Sequence, residues 1–426
     1  MNSQPAIVIV SGVQGDTRRY RAFHLWQQLR LAGVNCAVNH ITSPTVQKII
    51  SQVNILILQR VNWDAYLDRL IQKARKNRAV IIADIDDLIF LPEAYQWIDS
   101  PDFQDPIRLR LYRENLERNQ ITLRHCDAIL ASTDFLAEQA KQLQKPVWVH
   151  RNGFSLEMMS IAQNIQQNNQ LTGDRVVLGY ASGTPTHDKD FAMIQPVLKK
   201  LLGEYPHLQL NLAGHLNKDY SWGNAAERVH RTPFVPWRAL PQVLSTFSIN
   251  LAPLRLDNPF SLSKSEIKYM EAGLLGIPTI ASPTQAFQFA INSGNNGYLA
   301  CDSKDWEQFL RILIENSKLR IEIGQKARDH VLENYSPWKR ASEIVTILNE
   351  CIQHFNPNIN PISGEIFAQT DHNHHSANLV VPISFEKHPT LLERGLYTLR
   401  SRGVNTLLKE IWIFFRRMIS PVIPFR

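Results

Sequence analysis

Three charged side chains in the second half of the sequence, Lys264, Lys268 and Glu271, recur at a spacing that places them on one stripe of a helix. Two ammonium groups near a helix N-terminus, where backbone N–H groups and the macrodipole already attract anions, can hold a diphosphate. A carboxylate one turn further along can accept hydrogen bonds from the two hydroxyls of a ribose. The same spacing also fits a solvated helix face with a salt bridge between Lys268 and Glu271, and both interpretations stay open here.

The start of this helix has a structural interpretation. Ser263 and Glu266 are three residues apart, as in a capping box, so we predict Ser263 at the N-cap and favour capping over catalysis for Glu266. Ile267, Met270 and Leu274 recur at intervals of three and four residues and are predicted to face the core.

A second candidate phosphate site is the segment GYASGTPTHDKDF (residues 179–191), between a predicted strand and a predicted helix. Gly183 permits a tight turn, Thr184 supplies a hydroxyl donor, and His187 can donate to a phosphate oxygen or cap the helix. A strand, a loop of small residues and a helix N-terminus are the usual elements of a phosphate site. An ordinary strand-to-helix turn fits the pattern equally well.

The segment SGVQGDTRRYR (residues 11–21) has a similar arrangement after the first strand. Gly12 and Gly15 permit close backbone approach, and Arg18 adds positive charge. The segment does not fit GxGxxG, and no acidic residue closes the next strand, which argues against a nicotinamide-dependent oxidoreductase.

Three carboxylates, Asp84, Asp86 and Asp87, close a later strand, AVIIADID (residues 79–86). Carboxylates at the carboxyl end of a strand contact ligands, act as general bases or bind metal. Helix capping and loop hydrogen bonds are the alternative.

These motifs lie on two successive series of strands and helices. The predicted strands are residues 6–10, 54–59, 79–86, 125–132 and 145–154, and then 175–180, 208–214, 248–254, 278–282 and 296–300. Continuous apolar strands separated by helices predict parallel sheets covered on both faces. The expected fold is therefore α/β, with two Rossmann-like, doubly wound domains and the ligand crevice between them.

Composition shifts give the predicted domain boundaries. The units are residues 1–160 and 175–336 as the two domains, 161–174 as an Asn- and Gln-rich linker, 337–355 as a helix, 356–388 as a flexible polar linker, and 389–426 as a helical tail. The motif DHNHH (residues 371–375) falls in the polar linker without a second set of ligands, so no metal site is predicted there.

The overall composition, 44% hydrophobic and 20% charged, is that of a globular protein. There is no run of about twenty apolar residues that could span a membrane, and AIVIV (residues 6–10) is interpreted as a strand rather than a signal peptide. The four cysteines lie far apart without a CxxC pair, which predicts neither disulfides nor a metal site and fits a cytoplasmic protein.

The net charge of +7 is concentrated in the tail. Residues 389–426 contain seven basic and two acidic side chains and so contribute +5. This is an appendage rather than a basic folded face, which argues against nucleic acid as a partner. The tail also has an apolar stripe, with Lys409, Arg416 and Arg417 on the opposite side of the helix and Trp412 at the edge. This pattern fits a helix on an anionic membrane surface. The stripe consists of Val404, Leu407, Leu408, Ile411, Phe415 and Met418. Docking on the protein's own body or on a partner fits the pattern as well.

Residues 175–340 resemble the retaining glycosyltransferases of the GT-B fold, especially family 4. The resemblance rests on GYASGTPTHDKDF, on NLAPLRLDNPFSLSKSEIKYMEAGLLGIPTIAS, and on SGNNGYLA before a helix with Trp306. RYR (residues 19–21), DIDDLIF and HRNGF (residues 150–154) match more loosely in the first half, and residues 337–355 resemble the terminal crossover helix.

The resemblance implies retaining transfer of a hexose from a UDP- or GDP-sugar to a glycan or lipid-linked acceptor, without metal or other cofactor. The first domain would bind the acceptor and the second the donor. Lys264, Glu271 and Asp86 would be catalytic. The expected donor-binding residues are Gly183, Thr184, His187, Lys268, Ser263, Gly12, Gly15 and Arg18, and the expected acceptor-side residues are Asp84, Asp87 and Asn152.

This sequence departs from the family pattern at three places. Glu271 matches the second glutamate of the E-x7-E motif, but Ser263 stands where the first is expected. Ser182 and His187 stand at about the positions of the usual Arg-Lys pair, and no histidine matches the one expected in the first domain. A catalytically inactive scaffold that binds nucleotide or glycan is therefore the alternative function, and a GT-B-fold epimerase is a third.

Overall fold

The structure, a computed structural model, describes residues 6–168, 175–216, 218–362 and 389–419. Within these residues twelve strands form two six-stranded parallel sheets, one in each half of the chain. The sheet orders are β2-β1-β3-β4-β5-β6 and β12-β11-β10-β7-β8-β9. The α/β, doubly wound fold predicted from the sequence is therefore confirmed.

Each sheet is built from short, mostly buried strands. The first contains β1 Ile7–Ser11, β2 Cys36–His40, β3 Ile55–Gln59, β4 Val80–Ile85, β5 Ala128–Ala131 and β6 Val147–Val149. The second contains β7 Val176–Ser182, β8 Leu208–Gly214, β9 Val229–Thr232, β10 Ile249–Ala252, β11 Thr279–Ala281 and β12 Tyr298–Leu299. The sequence analysis missed β2 and β9, both at sheet edges, where the strands are less apolar.

Helices cover both faces of each sheet. Those of the N-terminal half are α1 Asp16–Arg18, α2 His24–Leu31, α3 Pro44–Ile49, α4 Ala65–Lys76, α5 Pro106–His125, α6 Asp134–Ala140 and α7 Leu156–Asn168. Those of the C-terminal half are α8 Asp188–Ala192, α9 Gln195–Glu204, α10 Leu240–Leu244, α11 Pro259–Leu262, α12 Ile267–Leu274, α13 Gln285–Ala290, α14 Ser303–Glu315 and α15 Ser317–Asn334. The remaining helices are α16 Pro337–Phe355, α17 Leu391–Arg402 and α18 Val404–Ile419. A π-helical turn, Arg19–Phe23, joins α1 to α2.

Two connections join the halves. The segment from residue 161, predicted as an irregular linker, is helical as far as Asn168, because Met158, Ala162 and Ile165 give α7 a buried face at helical spacing. Residues 169–174 lie outside the described residues. Later in the chain, α16 returns to the N-terminal half, where Ile344 and Leu348 join the buried cluster that contains Leu29 of α2.

In both sheets the strand order reverses beside the first strand. β1 lies between β2 and β3, and β7 lies between β10 and β8. Loops that leave the carboxyl ends of parallel strands at such a point diverge and open a crevice. The candidate site is therefore expected at these ends of both sheets.

No helix of the described residues combines the length and the apolar character needed to cross a bilayer. The tail is two helices rather than one, because Gly403 separates them with a φ of 81°, a left-handed conformation that favours glycine. Phe415, Arg416, Arg417 and Met418 belong to α18, but their side chains lie outside the described part, as does DHNHH (residues 371–375).

Candidate functional site

A cavity of about 290 Å³ lies between the two halves, at the carboxyl ends of both sheets. Loops that follow β1, β4 and β6 line it from one side, and loops that follow β7 and β8, together with α12, line it from the other. Nine of the residues predicted from the sequence are among its lining residues: Lys264, Lys268, Glu271, Gly183, Thr184, His187, Asp86, Asp87 and Asn152.

The lysines and the glutamate of the stripe all face this cavity, so a solvated helix face does not describe them. Lys264 lies in the turn before α12, where its Nζ donates to Asp87 Oδ1 at 2.6 Å and lies 3.9 Å from the ring centre of Phe260. Lys268 donates to the carbonyl of Ala181 at the end of β7. Burial lowers the pKa of Lys268 to about 8, because desolvation penalises its charged form.

Glu271 is bound from the opposite half of the chain. The hydroxyl of Tyr20 donates to its Oε1 at 2.5 Å, and Arg19 Nη2 lies 3.9 Å from the same oxygen. Burial raises the pKa of Glu271, and the Arg19 guanidinium and the Tyr20 hydroxyl oppose that shift. The arrangement positions a carboxylate that accepts hydrogen bonds at the border of the two halves.

The loop after β7 forms the adjoining wall. The Ser182 hydroxyl donates to the Thr184 carbonyl at 2.8 Å, which keeps Gly183 at the turn, and a 3₁₀ turn, Pro185–His187, leads into α8. His187 Nδ1 lies 2.8 Å from Asp190 Oδ2. Burial lowers the pKa of His187, so at neutral pH its neutral ring is favoured.

Gly214, at the end of β8, lets the ends of β7 and β8 approach each other closely in this wall. Its φ is +83°, and a Cβ at this position would lie 2.1 Å from the Ser182 carbonyl oxygen. A glycine is therefore required where the two strand ends meet beside the cavity.

On the N-terminal side, two of the three predicted aspartates reach the cavity. Asp86 and Asp87 both accept from the guanidinium of Arg60, and Asp87 also accepts from Lys264. Burial opposes the charge of Asp87, but Lys264 and Arg60 outweigh it and lower its pKa to about 2. Burial raises the pKa of Asp86. Among the described residues no group of three His, Cys, Asp or Glu side chains is arranged to hold a metal ion.

Asn152 completes this side through a contact across the cleft. Its Nδ2 donates to Ser265 Oγ at 3.0 Å, and its Oδ1 accepts from Arg21 Nη1 at 3.2 Å. The amide is therefore fixed between the two halves at the base of the cavity.

The capping-box prediction is wrong. The short helix α11 ends at Leu262 with Ser263 as its C-cap, so the Ser263 hydroxyl donates back to the Phe260 carbonyl at 2.7 Å. Glu266 is itself the N-cap residue of α12 and makes no side-chain capping bond. Its buried carboxylate accepts from the Tyr335 hydroxyl at 3.0 Å and lies 3.8 Å from Arg151 Nη1.

Five predicted residues do not line the cavity. Ser263 is fully buried beneath its own turn, and Asp84 is buried in a two-bond ion pair with Arg21, at 3.0 and 2.7 Å. Because Asp84 belongs to β4 itself, it faces the interior, whereas Asp86 and Asp87 follow the end of the strand.

The three residues of the first loop are also placed elsewhere. A Cβ on Gly12 would lie 2.2 Å from the Arg60 carbonyl oxygen, so this glycine lets the loop pack against the end of β3. Gly15 has a φ of 76° and precedes α1. Arg18 is buried, with its guanidinium 4.8 Å from the ring centre of Phe23.

Sequence reasoning missed several residues of the site. Arg60, which binds the cavity residues Asp86 and Asp87, comes directly after the carboxyl end of β3, and that position is a signal that could have identified it. Arg19 and Tyr20 belong to RYR (residues 19–21), which the sequence analysis gave only as a loose family match. Their contact with Glu271 had no local signal, because Tyr20 and Glu271 are 251 residues apart in the chain. An apolar end of the cavity was also missed: Pro233, Phe234, Val235, Trp237, Leu240 and Leu244.

Residues 192–346 match the family model described as glycosyl transferase-like. The stretch contains α9 to α15, and with them Lys264, Lys268 and Glu271. Among the curated proteins compared, none is similar enough in sequence to count as a match.

Solved structures share the fold at low sequence identity. HepE from Anabaena, in complex with UDP, is 16% identical with a TM-score of 0.54, over 81% of this chain and 99% of that one. Sucrose-phosphate synthase from Thermosynechococcus elongatus is 15% identical with a TM-score of 0.54, over 82% and 99%. A glycosyltransferase from Rickettsia africae is 10% identical with a TM-score of 0.56, over 82% and 100%.

At these identities the solved structures establish the fold alone. The family model matches the region of the sequence that contains Lys264 and Lys268. The chain therefore has the two-domain GT-B fold of these solved structures, and its C-terminal half contains a region that matches the glycosyl transferase-like family model.

Proposed function

We propose that this protein is a glycosyltransferase that moves a hexose from a nucleoside diphosphate sugar to a glycan or lipid-linked acceptor. The observation that carries the proposal is the cavity of about 290 Å³ that brings together Lys264, Lys268, Glu271 and the loop after β7. The structural relative HepE is described in complexes with UDP and with UDP-glucose, which supports UDP as the first nucleotide to test.

In the proposed complex the diphosphate lies between Lys264, Lys268 and the loop at Gly183 and Thr184. Folding has already removed much of the water around the Lys268 ammonium, so anion binding there costs less additional dehydration. Lys264 must exchange the carboxylate of Asp87 for a phosphate oxygen, or be shared between them. Glu271 would then accept hydrogen bonds from the ribose hydroxyls, which requires the Tyr20 hydroxyl to share or release its Oε1.

We infer that transfer proceeds with retention, on the face of the sugar from which the diphosphate leaves. The bond between the anomeric carbon and the diphosphate oxygen breaks, the acceptor oxygen bonds to that carbon, and the acceptor proton goes to the leaving oxygen. Negative charge grows on the diphosphate, and the ammonium groups of Lys264 and Lys268 would stabilise it in a partly dehydrated cavity without a metal ion or cofactor.

The acceptor is proposed to enter from the N-terminal side, past Asp86, Asp87 and Asn152. Arg60 fixes the Asp86 carboxylate, so Asp86 is oriented to accept a hydrogen bond from a sugar hydroxyl. A site built from carboxylates and an amide suits a neutral, hydroxyl-rich acceptor.

A scaffold that binds nucleotide without catalysis is the second candidate. Two observations favour it: Ser263 is buried away from the cavity, and Asp87 already neutralises Lys264. The proposed enzyme and the scaffold differ in turnover, not in binding.

The test combines binding with turnover. Calorimetry with UDP and GDP comes first, followed by release of free sugar from a panel of UDP- and GDP-sugars, with and without EDTA. The proposal expects micromolar binding of one nucleotide and EDTA-resistant turnover of one donor, whose product keeps its anomeric configuration by NMR. Binding without turnover of any donor would support the scaffold, and no binding of either nucleotide would reject both.

A further inference from the structure

We propose that α17, α18 and the basic end of α4 together form a docking surface for a membrane that carries anionic lipid. This inference concerns a face outside the donor cavity. It does not depend on the proposed function, because its test measures lipid binding rather than sugar transfer.

One face of α17 is attached to the N-terminal half. The Tyr397 hydroxyl donates to Asp64 Oδ2 at 2.7 Å, and its ring meets that of Tyr66 edge to face, with centroids 5.3 Å apart. Arg69 Nη2 donates to the Arg400 carbonyl at 3.4 Å. Therefore α17 packs against α4, and this face of the tail docks on the protein's own body.

The opposite faces of both helices expose large apolar side chains. Leu392 is 72% exposed, Leu408 is 60% exposed and Trp412 is 56% exposed. The exposed apolar residues are Leu391, Leu392, Leu396 and Leu399 on α17, and Val404, Leu408, Ile411, Trp412 and Phe414 on α18. On α18 the residues at 404, 408 and 411 repeat at three- and four-residue spacing, so they form a continuous stripe rather than scattered positions.

Exposed cations lie on α4 and on the two tail helices themselves. The far end of α4 forms a surface groove with Arg69, Lys73 and Lys76 among its lining residues, and Arg69 contacts α17 directly. On the helices themselves, Arg400 and Lys409 are exposed.

The two acidic side chains of residues 389–419 are held by neighbours. Glu393 binds the Thr390 amide and hydroxyl in a capping box, and Glu410 accepts from Arg402 at 2.7 Å and from Thr398 at 2.8 Å. The face that remains available is apolar and positively charged.

This combination identifies the occupant by its chemistry. An anionic bilayer offers acyl chains for the apolar stripes and phosphate headgroups for the exposed ammonium and guanidinium groups. The groove of α4 adds cations from a different element of the fold, so the charge is not a property of the tail sequence alone.

The test uses the full-length protein in vesicle flotation. Vesicles of phosphatidylcholine alone are compared with vesicles that also contain phosphatidylglycerol, at low and at high NaCl. We expect binding to the anionic vesicles that weakens with salt. The double variant L408S/W412S should lower the partition coefficient at least tenfold, because both side chains lose their apolar contact with the bilayer. K73Q/K76Q should lower it about fivefold for each charge removed.

Matched controls are available elsewhere on the surface. Ile321 is 69% exposed on α15, so I321S removes an exposed apolar side chain outside the proposed surface, and K304Q removes an exposed charge on α14. Both variants should bind as the parent protein does. Circular dichroism should be unchanged in all variants. Failure to bind anionic vesicles, equal binding to neutral vesicles, or unchanged binding by both double variants would overturn the inference. So would a lipid-free dimer, seen by light scattering, that L408S/W412S converts to a monomer.

Discussion

The two sides of the cleft differ in how their charged groups are held. On the N-terminal side, Asp84, Asp86 and Asp87 are all bound by arginines of the same half, Arg21 and Arg60. On the C-terminal side, Lys268 is held by a backbone carbonyl, and Lys264 is paired with a carboxylate that belongs to the other half.

Because of this difference, the ion pairs of the N-terminal side are fixed, whereas the lysines of the C-terminal side can exchange their partners. An ion pair made within one half is formed when that half folds, and opening the cleft does not alter it. A lysine that is held by a carbonyl, or by a residue across the cleft, can turn to a phosphate oxygen without leaving a buried carboxylate uncompensated in its own half. This difference supports the proposal that the diphosphate binds on the C-terminal side and a neutral acceptor on the N-terminal side.

The strongest test of the rigid side is the buried pair of Arg21 and Asp84. Asp84→Asn leaves the guanidinium of Arg21 buried without its carboxylate, so the free energy of unfolding should fall by about 3–5 kcal/mol. Urea unfolding followed by circular dichroism measures it. Glu114→Gln, which removes an exposed partner of Arg110, is the control and should cost at most about 1 kcal/mol. If both variants lost the same free energy of unfolding, the buried Arg21–Asp84 pair would stabilise this half no more than an exposed ion pair does.

The strongest test of the exchangeable side is Lys264→Ala. Turnover of the accepted donor should fall about a hundredfold or more, because one of two cations that stabilise the leaving diphosphate is lost. Steady-state kinetics should place the loss mainly in kcat. Lys304→Ala removes an exposed lysine of the same half and should leave the rate unchanged. Full activity of Lys264→Ala would show that the diphosphate binds elsewhere.

Glu271 lies where the two sides meet, and Glu271→Gln should weaken UDP binding about tenfold, because a neutral amide accepts weaker hydrogen bonds from the ribose than a carboxylate does. Calorimetry with UDP and with its 2′-deoxy form separates the effect on the ribose from other effects. The parent protein should prefer UDP, and the variant should lose much of that preference. Tyr20→Phe is the control, since it removes a hydrogen bond to Glu271 but leaves the carboxylate in place. An unchanged preference in Glu271→Gln would place the ribose elsewhere.

The smallest effect is a pH dependence caused by Lys268. Its lowered pKa of about 8 means that the ammonium is present below pH 8 and is lost above it. UDP affinity should therefore be level from pH 6.5 to about 7.5 and then fall by up to about tenfold for each pH unit above 8. Lys268→Arg should remove this fall, because the guanidinium stays charged throughout. A parent protein whose affinity is level to pH 9.5 would show that Lys268 does not contact the anion.

Much of the fold follows from local patterns in the sequence. Ten of the twelve strands were predicted. All eight central strands are among them, because a central strand of a parallel sheet is apolar on both faces, which leaves a continuous run such as NILILQ. The edge strands β6 and β12 were also predicted, but the edge strands β2 and β9 were missed because polar residues interrupt their apolar runs. Their sequences, CAVNH and VHRT, are accordingly mixed.

Local patterns were less informative about the start of the site helix. The spacing of Ser263 and Glu266 satisfies a capping box, but Asn258 and Pro259 begin a separate short helix just before it, with the Asn258 side chain as the N-cap. Ser263 therefore ends one helix rather than starting another. Glu266 is buried instead against Tyr335, whose position depends on the return of the chain into α16.

By itself, the sequence determined which side chains could do chemistry: two lysines and a glutamate at helical spacing, and aspartates at the end of a strand. The tertiary structure decided which of them meet. Lys264 and Asp87 are 177 residues apart, and Tyr20 and Glu271 are 251 residues apart. Contacts of that range arise when two separately wound sheets close on each other. The periodicity of the sequence does not predict these contacts, because each half would show the same pattern with or without its partner.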